Sequence, residues 1–516
     1  MQQGTSARPT LLEHCHQSAL PQAKPTDNES QATEGARKGA DVNVPSSASG
    51  RATTAEVESS LRESWELQLL QVSSELKMKL KDPHFVAKRC DLDSSGYLDT
   101  HELKQASRAF GIKFSTKELQ EKMAGEARIK KERFAEIVTD PPVTCADRSR
   151  PTIPHSLRGM ALGQLQQLES IFITSGWLSA KCNAFNLEYA DAIREGKKFL
   201  QAANLYAMDT FVVTPMSQPG KCDARNQDGA NVVPEANEEM SFSEVVNPYG
   251  LIVHCFVSHF WGHLFSQTVT ALRRWAEMNS ERIGAESSKS MVYWICLFAL
   301  NQHAVADEVG ENPMQGPFNA ALAQAEGGAV MVLDEEINPF KRIWCLFEIS
   351  RLKALNQPFE LICEMGSLSK PESLAVQQTD PTAAARLLQA TCEALWQVSA
   401  LKAKASVKED QIRIWEEIAN PGSRKLLKRQ GKILTIFGRE PNLTEAFFSE
   451  FDQFSQALLS SALLQFCLMH NHYAAAATCC EKGACFSKEQ FAQINPHVRE
   501  EDRTSWLGKL LILNTS

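Results

Sequence analysis

The spacing of apolar residues changes character several times along the chain. Residues 1–55 are dominated by Ser, Ala, Gln, Thr and Gly with no apolar period. Such a stretch buries too little surface to offset chain entropy, so it predicts a disordered tail. From Thr54 the spacing turns helical through Val57, Leu61, Trp65, Leu67, Leu70, Val72 and Leu76, and short helical hairpins are expected over 56–140. Asp140-Pro141-Pro142, with Pro151 and Pro154, predicts a linker over 141–159. A helical lead-in is expected over 160–245, carrying a Gly/Asn/Asp-rich surface loop at 217–240. Across 246–370 buried-strand patterns alternate with helical ones: LIVHCFVS then TVTALRRWAEM, MVYWICLFAL then FNAALAQAE, AVMVLD then WCLFEISRLKAL, and finally FELICEM. Continuous apolar strands between helices predict a parallel sheet covered on both faces. Residues 371–516 place Ala, Leu and Gln at helical spacing. The expected fold class is therefore multidomain: an all-α pair, an α/β parallel-sheet domain and an α-helical C-terminal region.

Composition narrows the function classes. The 516 residues are 43% hydrophobic and 22% charged, with a net charge of −8. That balance argues against a nucleic-acid or anionic-membrane binder. No apolar run approaches the ~18 residues of a membrane span. The opening residues lack a basic region followed by an apolar one, so no secretory signal is expected. Fourteen cysteines are scattered, which fits reduced thiols in a cytoplasmic setting.

The sharpest pattern is DLDSSGYLDTHE, residues 91–102. Asp91, Asp93 and Ser95 offer side-chain oxygens at alternate positions, Gly96 permits a left-handed turn, and Tyr97 offers its carbonyl. Asp99 stands at the ninth position and Glu102 at the twelfth, where a bidentate carboxylate closes the shell of a hard cation. Phe85, Val86 and Cys90 line an entering helix; Leu103, Ala106 and Phe110 line an exiting one before Gly111. The segment resembles an EF-hand, which implies Ca2+ as the bound ion. Residues 115–138 resemble a second hand with a shortened loop, with Ile129 at the apolar pairing place and Arg133 where the closing Glu would stand. A metal-free structural partner is expected there. ARNQDGANVVPE, residues 224–235, mimics the loop but begins with Ala224 and lacks flanking helices, so it is set aside.

Within 246–370, FVSHFWG, YWICLFALNQH, AVMVLDEE and RIWCLFEI follow one another. Their order resembles a TIR domain, with IWCLFEI similar to the plant-type Trp-Cys-Leu-x-Glu motif and YWICLFALNQH similar to fungal heterokaryon-incompatibility domains. The turn after the first strand departs from that pattern, reading Phe-Trp-Gly-His; Cys296 stands where the incompatibility domains have Asp; and a fifth strand is obvious nowhere, GKILTIFG at 431–438 being a late candidate. The resemblance implies that Glu348 is the carboxylate that cleaves NAD at its nicotinamide–ribose bond, with Ser258 and Trp261 as pocket residues. It also implies protein partners and self-association through this domain. The plainer reading makes Glu348 a first-turn helix acid favoured by the dipole, with Trp344 and Leu346 in the core. A Cys345–His259 hydrolase pair is disfavoured because Cys345 lies in an apolar helix. His470, His472, Cys479, Cys480 and Cys485 lack paired zinc spacing and read as helix residues. KASVKEDQIRIWEEI and KLLKRQGK read as solvated helix faces. Two functions follow: a calcium-responsive sensor or scaffold coupling the loop to the α/β module, or a calcium-gated NAD glycohydrolase using Glu348.

Overall fold

The computed structural model describes residues 69–91, 95–139, 151–220, 236–310, 312–368, 397–405, 408–419, 448–469 and 473–484, with isolated positions at 391, 492, 495–497 and 500. The expected tail 1–55, the loop-like 224–235, the candidate strand 431–438, and His470, His472 and Cys485 lie outside the described residues, as does Asp93.

Six strands form one sheet in the order β3-β5-β4-β6-β7-β8. They are β3 (Met160–Ala161), β4 (Cys255–Ser258), β5 (Val292–Trp294), β6 (Ala329–Val332), β7 (Phe359–Cys363) and β8 (Gly366–Ser367). The four inner strands are parallel, and β3 and β8 close the edges antiparallel. The sheet is thus mixed, where the sequence pattern predicts a parallel one; the antiparallel edges are two-residue strands too short to show a period. Crossovers run through α6 (Phe265–Ile283), α7 (Pro317–Gln324) and α8 (Ile343–Leu355). Alternation along β4 sends Cys255 and Val257 toward Val269, Leu272 and Trp275 of α6, while Phe256 faces Phe318 and Leu322 of α7. Strands β5 and β6 lie on opposite sides of β4, so the chain reverses its winding direction at the β4–β6 pair.

Two expected strands are shorter than their apolar runs. In MVYWICLFAL only Val292–Trp294 is strand; Cys296–Ala299 is a helical turn whose Phe298 and Ala299 amides donate to the Ile295 carbonyl. A buried helical turn and a buried strand have the same apolar signature. Gly327 lies in the turn before β6, and the Gly328 amide donates to the Ala325 carbonyl at 3.1 Å. Gly328 has φ +78°, and a Cβ there would collide with the Pro358 carbonyl oxygen.

The 160–216 stretch packs into the sheet's own core: Leu165, Phe172, Leu178, Leu205 and Val212 share one cluster with α6 and β5. It includes α5 (Trp177–Glu188). Arg158, 5% exposed, ties this face together by pairing with Glu308 at 2.7 Å and Glu244 at 3.5 Å. Beyond the sheet, α9 (Lys408–Ala419), α10 (Ser449–Met469) and α11 (Tyr473–Glu481) share a cluster with α8 and β7.

At the N-terminal side, α1 (Pro83–Cys90) and α2 (Thr100–Arg108) flank the 91–99 loop, and α3 (Thr116–Lys122) and α4 (Phe134–Thr139) flank a second one. The two loops are zipped by β1 (Tyr97–Asp99) and β2 (Arg128–Lys130), with Leu98 opposite Ile129. Both are fully buried among Val86, Leu103, Phe114 and Phe134. Asp82 caps α1 and Pro83 starts it; Ser115 and Glu118 form a capping box on α3.

Candidate functional site: a cavity at the sheet crossover and an acidic loop

Open α/β sheets present ligand crevices at the carboxyl ends of strands where the winding reverses. A cavity of about 110 Å³ lies there. One buried water needs roughly 10–15 Å³ on this measure, so the space takes a small planar ring. Its aromatic walls are Tyr206, Trp261, Phe318 and Trp344; its polar lining includes His259, Gln302, Arg342, Glu348 and Asp410. Phe318 stacks on Trp344 at 4.9 Å and 23°, and Trp261 donates its indole N–H to the Cys296 sulfur at 3.3 Å.

Glu348 reaches this space from α8. The helix begins at Ile343, so Glu348 is its sixth residue and lies in the second turn. The first-turn dipole reading therefore fails, because that effect fades within one turn. Glu348 is 5% exposed, and its Oε2 has no hydrogen-bond partner. Burial pushes its carboxyl up to about 8, only partly offset by the adjacent Ser258 hydroxyl. Ser258 ends β4, is buried, and its Oγ closes no well-formed hydrogen bond either. Sequence reasoning named Glu348, Ser258 and Trp261; Glu348 and Trp261 line the cavity and Ser258 sits against the carboxyl.

His259 is buried with Nδ1 3.3 Å from the Val257 carbonyl oxygen and Nε2 4.0 Å from the Cys296 sulfur. Burial lowers it to about 4, so the imidazole is neutral. Cys345 turns its thiol toward the His259 backbone carbonyl at 3.7 Å, and burial drives its pKa strongly upward. It is an inert packing group; the thiol facing the imidazole is Cys296.

Several lining residues carried no sequence signal. Tyr206 and Asp410 come from segments far from the sheet motifs. The sequence around Asp410, KASVKEDQIRIWEEI, predicts a solvated helix face. Instead α9 buries Ile414 and anchors Trp415 by an indole N–H to the Ala400 carbonyl at 2.7 Å. Its Lys/Glu-rich composition hid one inward stripe.

The second feature is the acidic loop. Asp91 is 3% exposed, and its two carboxylate oxygens accept the Ser95 and Gly96 amides, each at 3.0 Å. Gly96 has φ +79°. The Lys131 ammonium lies 3.7 Å from Asp91 Oδ2, a cation already drawn to this carboxylate. Asp99 Oδ1 accepts the His101 and Glu102 amides, while Glu102, 4% exposed, accepts the Asp99 amide at 2.8 Å. These oxygen donors suit a hard cation in kind. Among the described residues no group of three His, Cys, Asp or Glu side chains stands close enough to hold a metal.

The chain matches no family model, no curated protein and no solved structure. Among the described residues no helix is long and apolar enough to cross a membrane.

Proposed function

We propose that the protein hydrolyses the N-glycosidic bond of a nicotinamide dinucleotide, with Glu348 as the charge-stabilising carboxylate and the 91–102 loop as a calcium-binding regulatory element. One observation carries this reading: a buried carboxyl with an unpaired oxygen opens into an aromatic-walled cavity where the sheet reverses its winding.

Cleavage of the ribose–pyridinium bond leaves positive charge on the sugar carbon as nicotinamide departs neutral. Glu348, ionised, faces that charge inside a water-poor space where the attraction is strong. A water then adds to the sugar carbon and releases one proton. The free protein holds Glu348 mainly protonated at neutral pH, since its carboxyl titrates near 8. A substrate that arrives carrying a pyridinium cation favours the ionised form, so binding itself loads the carboxylate. Trp344, Phe318 and Trp261 supply flat faces for the ring. Neutral His259 is an acceptor within the same space.

Asp91, Asp93, Ser95, Tyr97, Asp99 and Glu102 would hold Ca2+ in the loop; the ion would supply a local charge that reorganises the acidic side chains. The sensor-and-scaffold reading, with protein partners or self-association through the α/β unit, shares this loop and differs at the cavity.

Purified protein incubated with NAD, with and without calcium, separates the two. Nicotinamide release that disappears in Glu348→Gln supports the hydrolase. The absence of release under every condition leaves the scaffold.

A further inference from the structure

Helix α7 touches both features. Its aromatic Phe318 forms a wall of the cavity, stacked on Trp344. Three residues earlier, half-buried Gln315 donates its side-chain amide to Asp99 Oδ2 at 2.7 Å. Gln315 ends the 3-10 turn Pro313–Gln315, and Gly316 links it directly into α7. At the other end of α7, Gln324 Oε1 accepts a hydrogen bond from Arg89 of α1 at 3.1 Å. The helix that walls the cavity is therefore held at both ends by the helix–loop–helix unit, once from the acidic loop and once from its entering helix.

We propose that Gln315 couples the acidic loop to the cavity, holding α7 against Trp344 through its bond to Asp99. This rests on the reading of 91–102 as a cation site and of the Glu348 cavity as the working site. Asp99 is divided between two tasks: Oδ1 caps α2, and Oδ2 takes the Gln315 amide. A cation held in the loop draws on the same carboxylate. The two demands compete, so loading the loop weakens the tie and frees the Gln315 end of α7. Phe318 lies within the first turn from that end, where a released tie is felt most. By linkage, whatever the tie costs the cation it also transmits to the cavity.

The test uses the full chain and two readouts that do not depend on catalysis. Calcium chloride is titrated calorimetrically into wild type and Gln315→Ala. In parallel, the rate at which iodoacetamide alkylates Cys296 is followed by peptide mass spectrometry, with and without calcium. Cys296 is the partly exposed cysteine among the described residues and lines the cavity. Removing a hydrogen bond to a charged group that competes with the ion should tighten calcium about tenfold in Gln315→Ala. Calcium should change the Cys296 rate severalfold in wild type and leave it unchanged in Gln315→Ala. Gln315→Met, which keeps the bulk and removes the amide, should behave like the alanine variant, which separates coupling from misfolding. Equal calcium affinities in wild type and both variants, or a Cys296 rate indifferent to calcium in wild type, overturn the proposal, as does the absence of any calcium heat. Failure of nicotinamide release would leave these readouts untouched, and so bears on the hydrolase reading alone.

Discussion

The burial of Glu348 makes a prediction about stability that is separate from activity. In the unfolded chain the carboxyl titrates near its ordinary 4.5; in the folded protein burial raises it to about 8. Below pH 4.5 both states carry the proton and the buried acid is neutral. Between 4.5 and 8 the folded state holds a proton that the unfolded state has lost, so stability falls as pH rises. Above 8 both are ionised and the full penalty is present. At ~1.36 kcal/mol per pH unit the whole penalty is about 5 kcal/mol. Glu348→Gln removes the titration and preserves the shape. Its stability relative to wild type should therefore grow by about 3 kcal/mol between pH 5.5 and 8.5. Urea unfolding followed by tryptophan fluorescence reads this, because Trp344 lies two turns or less from the substitution and lines the same cavity. The same variant should release no nicotinamide, while wild-type kcat/KM should rise with pH toward a plateau above about 8 as the free enzyme's carboxylate forms. Parallel pH profiles of stability in the two proteins would refute the buried-acid argument, whatever the activity shows.

Three further substitutions probe the supports. Glu102→Gln keeps a side chain able to accept the Asp99 amide but loses the charge, so calorimetry of the full chain should lose its calcium heat with little change in melting temperature. Arg158→Leu removes the buried guanidinium that neutralises Glu244 and Glu308, which keep only backbone and hydroxyl donors, and should destabilise by about 3 kcal/mol in urea unfolding, with part recovered when Glu308→Gln is added. Gly328→Ala forces a left-handed backbone and a collision with Pro358; a loss of about 2 kcal/mol or more is expected, against almost none for a surface glycine-to-alanine control.

How much of this was legible in the sequence depends on distance along the chain. The β6 and α8 positions follow directly from AVMVLD and WCLFEISRLKAL, where one local period fills one element. The pairing place assigned to Ile129 is where β2 meets Leu98, again a local register fixed by two flanking loops. Helix phase was harder. The helix predicted from Trp344 starts one residue earlier, at Ile343, and Glu348 falls in its second turn rather than its first. What the sequence withheld were meetings between remote segments. Tyr206, Phe318 and Asp410 share one cavity although about a hundred residues separate each from the next, and nothing in local spacing encodes that encounter. Gln315 and Asp99 lie further apart still.

A buried carboxyl with an open oxygen in its lining sets the cavity apart from an ordinary packing gap. Among the described residues, buried polar groups around the sheet close hydrogen bonds at several places, while scattered single atoms such as His155 Nδ1 and Gln201 Oε1 do not. Trp294 donates to the His155 carbonyl at 2.9 Å, Asn247 donates to the Gly159 carbonyl at 3.0 Å, and Arg351 donates to Asn319 at 2.8 Å. At the end of β4, Ser258 sits against the Glu348 carboxyl without a well-formed bond, Glu348 lines the cavity with Oε2 open, and His259 beside them is held neutral. An unpaired buried carboxyl costs on the order of 1–3 kcal/mol even when neutral, a cost that a leucine at position 348 would remove. Other buried polar atoms lack partners singly, but Ser258 and Glu348 do so side by side, where a crossover reversal opens a crevice. A ligand in the crevice would complete the bond that Glu348 leaves open, which is what the proposed hydrolase reading requires of it.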